Sequence, residues 1–205
     1  MKFIKWKTLI VTTLVCLLPI VLGIALWQKL PSSVPIHFDI NNNPDNFASK
    51  EFAVFGMPVL MVFLQFINCV ITDINSKKHG ERKKFEKVVK WIIPSLTVVL
   101  QIITFCYAIG YKVDIRRVVS VIVGIILVVI GNYMPKFDYI KNYDLSTEKA
   151  KKINRFIGFE TVVMGILFLV SIFLPPVATV VCLILLVPYA IIGVIYGIKN
   201  GRKSS

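Results

Sequence analysis

The stretch TLIVTTLVCLLPIVLGIALWQ, residues 8–28, decides the fold class, because it carries no charged side chain between Lys7 and Lys29. A helix needs roughly 20 apolar residues to cross a hydrocarbon core about 30 Å thick, and this stretch is long enough. The basic residues before it are typical of a signal peptide, but the apolar run is too long and lacks a small-residue cleavage site before Trp27. We therefore expect a retained transmembrane helix.

Further segments share this character, so the sequence predicts a bundle of six transmembrane helices. The expected spans are 8–28, 52–72, 91–111, 118–135, 156–174 and 176–198. Pro175 and Pro176 separate the last two, and proline cannot continue a helix, which favours a helical hairpin there. We predict one integral membrane domain, residues 1–205, with an all-α polytopic fold.

The composition excludes the other broad classes of protein. Hydrophobic residues make up 56% of the chain and charged residues only 17%, whereas soluble domains carry about 25% charged residues. Disordered chains have low hydrophobicity. The net charge of +13 would suit a nucleic-acid-binding protein, but the hydrophobicity does not, so we expect no direct contact with nucleic acid.

The basic residues predict the orientation in the membrane. With both termini in the cytoplasm, 19 of the 24 Lys and Arg residues fall on the cytoplasmic side and 5 on the outside. Cytoplasmic loops of membrane proteins carry such an excess of Lys and Arg. Contact with anionic lipid headgroups is a further expected consequence of this charge.

The segment from Leu30 to Pro58 is the long extracytoplasmic loop of this topology. It reads LPSSVPIHFDINNNPDNFASKEFAVFGMP, and loops of this length are often functional. Residues 36–40 alternate apolar and polar side chains, which is the period of a β-strand. Residues 41–44 are typical of a turn. We therefore expect a short extended element followed by a turn.

This loop resembles the loop of the bacterial SdpI family and its associated N-terminal LPxxVPxHF membrane domain of unknown function. The matching residues are Leu30, Pro31, Pro35, His37, Asp45, Lys50 and Pro58. A second family element is similar to GNYMPK, residues 131–136, at the inner end of the fourth span. The family's inner Arg-Thr-Pro-Trp stretch is absent; Leu145-Ser146 and Arg155-Phe156 are the nearest correspondences, with Asn154 where the family has histidine.

The resemblance implies a function in the plasma membrane of Gram-positive bacteria. Members of the family confer resistance to a secreted antimicrobial or toxin peptide. They also sense that peptide and hold a cytoplasmic ArsR-type repressor at the membrane. The implied partners are therefore the toxin peptide, a repressor and membrane lipids. The alternative interpretation is a small membrane transporter or a signalling receptor.

Polar residues in the loop and the fourth span are the first candidate sites. Five loop residues have a functional interpretation, toxin contact, and a structural one, a hydrogen-bonded turn. They are His37, Phe38, Asp39, Asp45 and Lys50. One His with two Asp is a weak metal signal, and the sequence predicts no metal and no cofactor. The family motif of the fourth span supplies Gly131, Asn132, Pro135 and Lys136.

Polar side chains within the spans form the second group of candidates, because they are costly in a membrane. Asn68, Gln101 and Glu160 could line a proton- or ion-coupled cavity, or they could form hydrogen bonds between helices. Enzyme signatures such as HExxH, GxSxG and the phosphate-binding glycine loop do not occur in the sequence. We therefore expect no enzyme activity.

Overall fold

The computed structural model describes residues 4–79, 83–136 and 147–201. Its elements are α1 Trp6–Ala25, β1 Ser33–Phe38, β2 Pro44–Ser49, a π-helical segment Phe52–Gly56, α2 Met57–His79, α3 Lys83–Ala108, α4 Ile115–Tyr133, a 3-10 segment Met134–Lys136, α5 Thr147–Ser171 and α6 Pro176–Gly201. Among these described residues, six helical stretches are long and apolar enough to cross a membrane. The predicted six-helix membrane fold is thus confirmed, while the orientation with both termini in the cytoplasm stays a prediction.

The chain divides into two compact units, Met1–Ile115 and Arg116–Ser205. In the first unit α1, α2 and α3 pack against one another in every pairing. Cys16, Cys69 and Phe105 are buried between these helices. Many large apolar side chains of these helices are exposed, for example Leu14 and Phe63. Such exposure is expected where a helix faces lipid.

In the second unit α4 packs on α5 through glycines, and α5 packs on α6. A Cβ atom placed on Gly124 would lie 2.9 Å from the carbonyl oxygen of Gly165, and one on Gly131 would lie 2.7 Å from that of Gly158. Each helix therefore carries two glycines seven residues apart. Their pairing lets α4 and α5 approach each other closely, in antiparallel orientation, within one chain. The helices α5 and α6 are joined by a short turn that ends at Pro175, as the proline pair predicts.

Several helices include basic residues outside their predicted spans, and α3 and α5 extend furthest. The helix α3 begins at Lys83, before the span 91–111, and α5 begins at Thr147, before the span 156–174. Lysine has a high helix propensity, so these basic residues form helical turns before the apolar run begins. The correspondence proposed for Leu145-Ser146 lies outside the described residues, as do residues 80–82 and 137–146 of the basic loops.

Candidate functional site

The loop between α1 and α2 folds into a two-stranded antiparallel hairpin. Ser33 pairs with Ser49 at its base and Phe38 with Pro44 at its tip, with an irregularity in β1 between Pro35 and Phe38. The alternating pattern of residues 36–40 predicts the first strand. The second strand was missed, because PDNFAS has weak strand propensity and is held as a strand by its pairing with β1.

Asp39 organises the turn of the hairpin. Its carboxylate accepts hydrogen bonds from the backbone N–H groups of Asn41 and Asn43, at 2.9 and 2.7 Å, and from the Asn43 side-chain amide. These bonds, chiefly those from Asn43, lower the pKa of the Asp39 carboxyl below its ordinary value. Asp39 therefore acts as a structural acceptor in this loop.

Three residues of the hairpin fasten it to other parts of the first unit. The Asn42 amide donates to the Val113 carbonyl and its oxygen accepts from the Ile115 N–H. The ring of Phe38 meets Tyr107 edge to face, with centroids 4.8 Å apart. The Lys50 ammonium donates to the Trp27 carbonyl at 3.1 Å and lies over the Trp27 ring. The hairpin is thereby held at the end of the unit where α1 and α3 finish.

His37 and Asp45 remain on the exposed side of this anchored hairpin. The two side chains are 68% and 47% exposed, and His37 Nδ1 lies 2.5 Å from Asp45 Oδ1. The imidazole donates to the carboxylate when Nδ1 carries the proton. Phe47, on the neighbouring strand, is also half exposed. Of the five loop candidates, Phe38, Asp39 and Lys50 therefore anchor the loop, and His37 and Asp45 form its accessible polar surface.

Replacing Asn42 tests how firmly the hairpin is fixed. Asn42 has a φ of 66°, a conformation that asparagine and glycine tolerate better than alanine does. We expect Asn42→Ala to lose two hydrogen bonds and to strain the turn, lowering local stability by about 2–3 kcal/mol. Hydrogen exchange of the hairpin amides measures this. Asn42→Gly keeps the backbone conformation and is expected to lose less; equal exchange in both variants would contradict the role of the φ angle.

The lowered pKa of Asp39 predicts the pH response of the turn. A carboxylate whose pKa is depressed by folding contributes its hydrogen bonds above the unfolded pKa, and they are lost as the pH falls through the folded pKa. The amide signals of Asn41 and Asn43 should therefore stay constant from neutral pH down to the ordinary carboxyl pKa of about 3.9, and shift only below it. An NMR titration with a midpoint above that value would refute the assignment.

At the other end of the first unit, a buried cluster of charges joins all three helices. Lys90 Nζ lies 2.5 Å from Asp73 Oδ1, and the two side chains are only 2% and 1% exposed. Lys5 pairs with Glu86 at 2.7 Å, and its backbone N–H donates to Asp73. Ser76 donates to Glu86 at 2.7 Å. The pairing satisfies charges that would otherwise be costly to bury.

In the same unit, side-chain amides of α2 donate hydrogen bonds to backbone carbonyls of α3 near a proline. In an α-helix the Lys90 carbonyl would accept from residue 94, which is a proline without an N–H, and here it accepts instead from Gln65 at 2.9 Å. Beside it, Asn68 donates to the Val89 carbonyl at 3.1 Å. Amide side chains thus cross between α2 and α3 at the proline of α3.

Gln101 does the same for the π-helical segment. The Met57 N–H bonds to the Phe52 carbonyl, so in this pattern Ala53 would pair with Pro58. Proline again has no N–H, and the Ala53 carbonyl accepts from Gln101 at 2.6 Å. In a membrane an unsatisfied carbonyl costs several kcal/mol, which gives these amides a structural reason to be there. Asn68 and Gln101 therefore form hydrogen bonds between helical segments, which is the structural interpretation of these polar residues.

In the second unit the GNYMPK motif divides into packing and exposed positions. Gly131 lies against Gly158, and the ring of Pro135 also lies close to Gly158. Asn132 is exposed, and Lys136 ends the 3-10 segment. The motif therefore seats the end of α4 and the 3-10 segment on α5.

Glu160 lies on α5, two residues beyond Gly158. Its Oε2 atom is buried and has no hydrogen-bond partner among the described residues. The hydroxyl groups of Thr161 and Tyr189 form a hydrogen bond of 2.6 Å between α5 and α6.

Within residues 4–79, 83–136 and 147–201, His, Cys, Asp and Glu side chains form no group of three or more that could hold a metal ion.

Comparisons with known proteins were made for the whole chain. The model of the family described as "Domain of unknown function (DUF1648)" matches residues 14–62, which contain α1, the hairpin and the start of α2. The immunity protein SdpI of Bacillus subtilis (strain 168) is 28% identical over 193 residues, covering 91% of each chain. No solved structure matches the chain.

These likenesses agree with the fold. The matched family region contains the loop that resembles the SdpI family, and the likeness to SdpI continues through both units. Six apolar helices together with this likeness place the chain in the plasma membrane as a multi-pass protein. The resemblance to the SdpI family that the loop motif indicates is thereby confirmed, and the chain is similar to the SdpI immunity protein along about nine-tenths of its length.

Proposed function

We propose that this protein is a membrane immunity protein that protects the cell producing it from a secreted antimicrobial peptide. The observation that carries the proposal is its likeness, over 91% of both chains, to a protein named for immunity. The likeness covers both units and is not confined to one shared segment. No cofactor or catalytic group is needed for such a role, because binding or blocking a peptide suffices.

The hairpin is the surface that we assign to peptide contact. His37, Asp45 and the half-exposed Phe47 combine charge, hydrogen bonding and apolar area on its free side. The anchoring by Asn42, Phe38 and Lys50 reduces the conformational entropy that binding would otherwise cost. Within the described residues the hairpin forms a sheet of only two strands, so an extended peptide can add as a further strand.

The experiment compares a deletion strain with strains that carry the wild-type or variant gene. Each strain is exposed to culture supernatant of the producing parent strain, and growth is measured. The deletion strain should be killed and the wild-type gene should restore growth. The variant His37→Ala/Asp45→Ala should restore less growth at equal amounts of protein in the membrane.

The matched control is Glu148→Ala/Lys152→Ala, which also removes one acidic and one basic exposed side chain, but on α5. This control should protect as well as the wild type. Normal growth of the deletion strain in the supernatant would contradict immunity. Full protection by His37→Ala/Asp45→Ala would contradict only the assignment of the hairpin surface.

A second part of the proposal concerns signalling. Exposed lysines at the start of α3 and α5 lie on the predicted cytoplasmic side, where a repressor could dock: Lys83, Lys84, Lys87, Lys151 and Lys152. Crosslinking from these positions in cells exposed to the toxic supernatant tests it. Recovery of a DNA-binding protein only after exposure is the expected result, and the same crosslinks without exposure would refute toxin-dependent capture.

A further inference from the structure

A cavity of about 420 Å³ opens between the first turns of α1 and α3. Its size lies within the range of small-molecule binding sites, roughly 300–1,000 Å³. The lining residues are Lys5, Thr8, Lys83, Glu86, Lys87, Lys90 and Trp91. The cavity is at the opposite end of the first unit from the hairpin and takes no part in the proposed peptide contact.

The walls of the cavity are strongly basic. Four lysines line it, against the single carboxylate of Glu86. Glu86 is engaged by Lys5 and Ser76, so its charge is largely offset. Asp73 likewise offsets the charge of Lys90, so Lys83 and Lys87 carry the positive charge that favours an anionic ligand.

The lysines divide into two that are positioned and two that are accessible. The Lys90 ammonium is held at the cavity wall by Asp73, and the Lys5 ammonium by Glu86. Lys83 and Lys87 lie one turn apart on α3 and are exposed, and neither makes an ion pair with any residue that the structure describes. Two accessible ammonium groups beside the ion-paired ones suit a phosphate group, which takes several N–H donors at once.

The position of the cavity relates it to the surface of the membrane. The charged part of α3 ends at Lys90, and Trp91 begins its apolar run. Tryptophan is enriched at the membrane interface, where lipid headgroups lie. On α1, Val11 is 48% exposed one turn beyond Thr8, so apolar surface for an acyl chain adjoins the lining.

We propose that this cavity binds an anionic phospholipid through the phosphodiester of its headgroup. Lys83 and Lys87 contact the phosphate, the ion pairs of Lys5 and Lys90 form the wall behind it, and Trp91 lies beside the glycerol region. Basic pockets between transmembrane helices bind anionic lipids in this way. The lipid, unlike a soluble phosphate compound, also uses the apolar surface of α1.

The test uses the purified full-length protein in a neutral detergent, titrated with short-chain phosphatidylglycerol and followed by native mass spectrometry. Short-chain phosphatidylcholine and free glycerol phosphate are titrated in parallel. The wild type should bind phosphatidylglycerol in preference to both. The variant Lys83→Gln/Lys87→Gln should bind it about 30-fold more weakly, from the usual contribution of two lysines near a lipid surface.

The matched control is Lys151→Gln/Lys152→Gln, which removes the same charge from exposed positions on α5. It should bind phosphatidylglycerol within about threefold of the wild type, because those lysines do not line the cavity. An equal loss in the control would show general charge attraction and overturn the site. Equal affinity for phosphatidylcholine would overturn the preference for an anionic lipid, and equal affinity for glycerol phosphate would replace the lipid by a soluble phosphate compound.

Discussion

Replacing Lys90 by methionine is expected to lower the stability of the protein by about 3–5 kcal/mol, the usual cost of leaving a buried charge without its partner. Asp73 would lose the ammonium group that pairs with it, in a site where it is only 1% exposed. The Lys5 backbone N–H would remain as a hydrogen-bond donor to it. The measurement is the thermal unfolding midpoint in detergent.

The double variant Asp73→Leu/Lys90→Met is expected to recover much of this loss. An apolar pair of similar size has no charge to desolvate, and such replacements of buried ion pairs are often neutral. The control is Lys84→Met, an exposed lysine on the same helix, which should change stability by less than about 0.5 kcal/mol. If Lys84→Met and Lys90→Met unfold at the same temperature, the buried pair does not stabilise the bundle.

Replacing Gly131 by alanine is expected to destabilise the protein by about 2–3 kcal/mol, a large effect for one methyl group. The new Cβ would lie 2.7 Å from the Gly158 carbonyl oxygen and 2.8 Å from the Val162 nitrogen. Both are backbone atoms, so α4 and α5 must move apart and lose packing along their contact. Gly158→Ala should behave in the same way from the other side of the contact.

Gly193→Ala is the matched control in the same unit. A Cβ there would meet Ile157 at 3.9 Å, an ordinary van der Waals distance. Because alanine favours the helix over glycine by up to about 1 kcal/mol, this variant should be neutral or slightly more stable. Equal unfolding midpoints for Gly131→Ala and Gly193→Ala would contradict the close approach of α4 and α5.

The candidate sites were predictable to different degrees. The loop residues were found from their spacing, yet the sequence could not separate His37 and Asp45, which are accessible, from Phe38 and Lys50, which anchor the hairpin. That difference depends on Tyr107 and Trp27, which lie on other elements. A local pattern has no information about such distant partners.

The pairing of the buried charges was not predicted, for a related reason. Asp73 and Lys90 each stand at the end of an apolar run, where a charge normally marks the boundary with water. The signal that could have found them is their opposite sign at the ends of two successive antiparallel spans. Gln65 carried a further signal, since a neighbouring helix can supply the donor for a carbonyl that a proline leaves free.

The sequence by itself determined the six-helix membrane fold, because the thickness of the hydrocarbon core sets the length of an uncharged run. It also determined the first strand of the loop, through alternation over a few adjacent residues. The tertiary structure alone decided that Lys90 meets Asp73, that Gln101 meets Ala53 and that Gly131 meets Gly158. Each of these contacts depends on the rotation and register of two helices, and those are fixed only when the whole unit packs together.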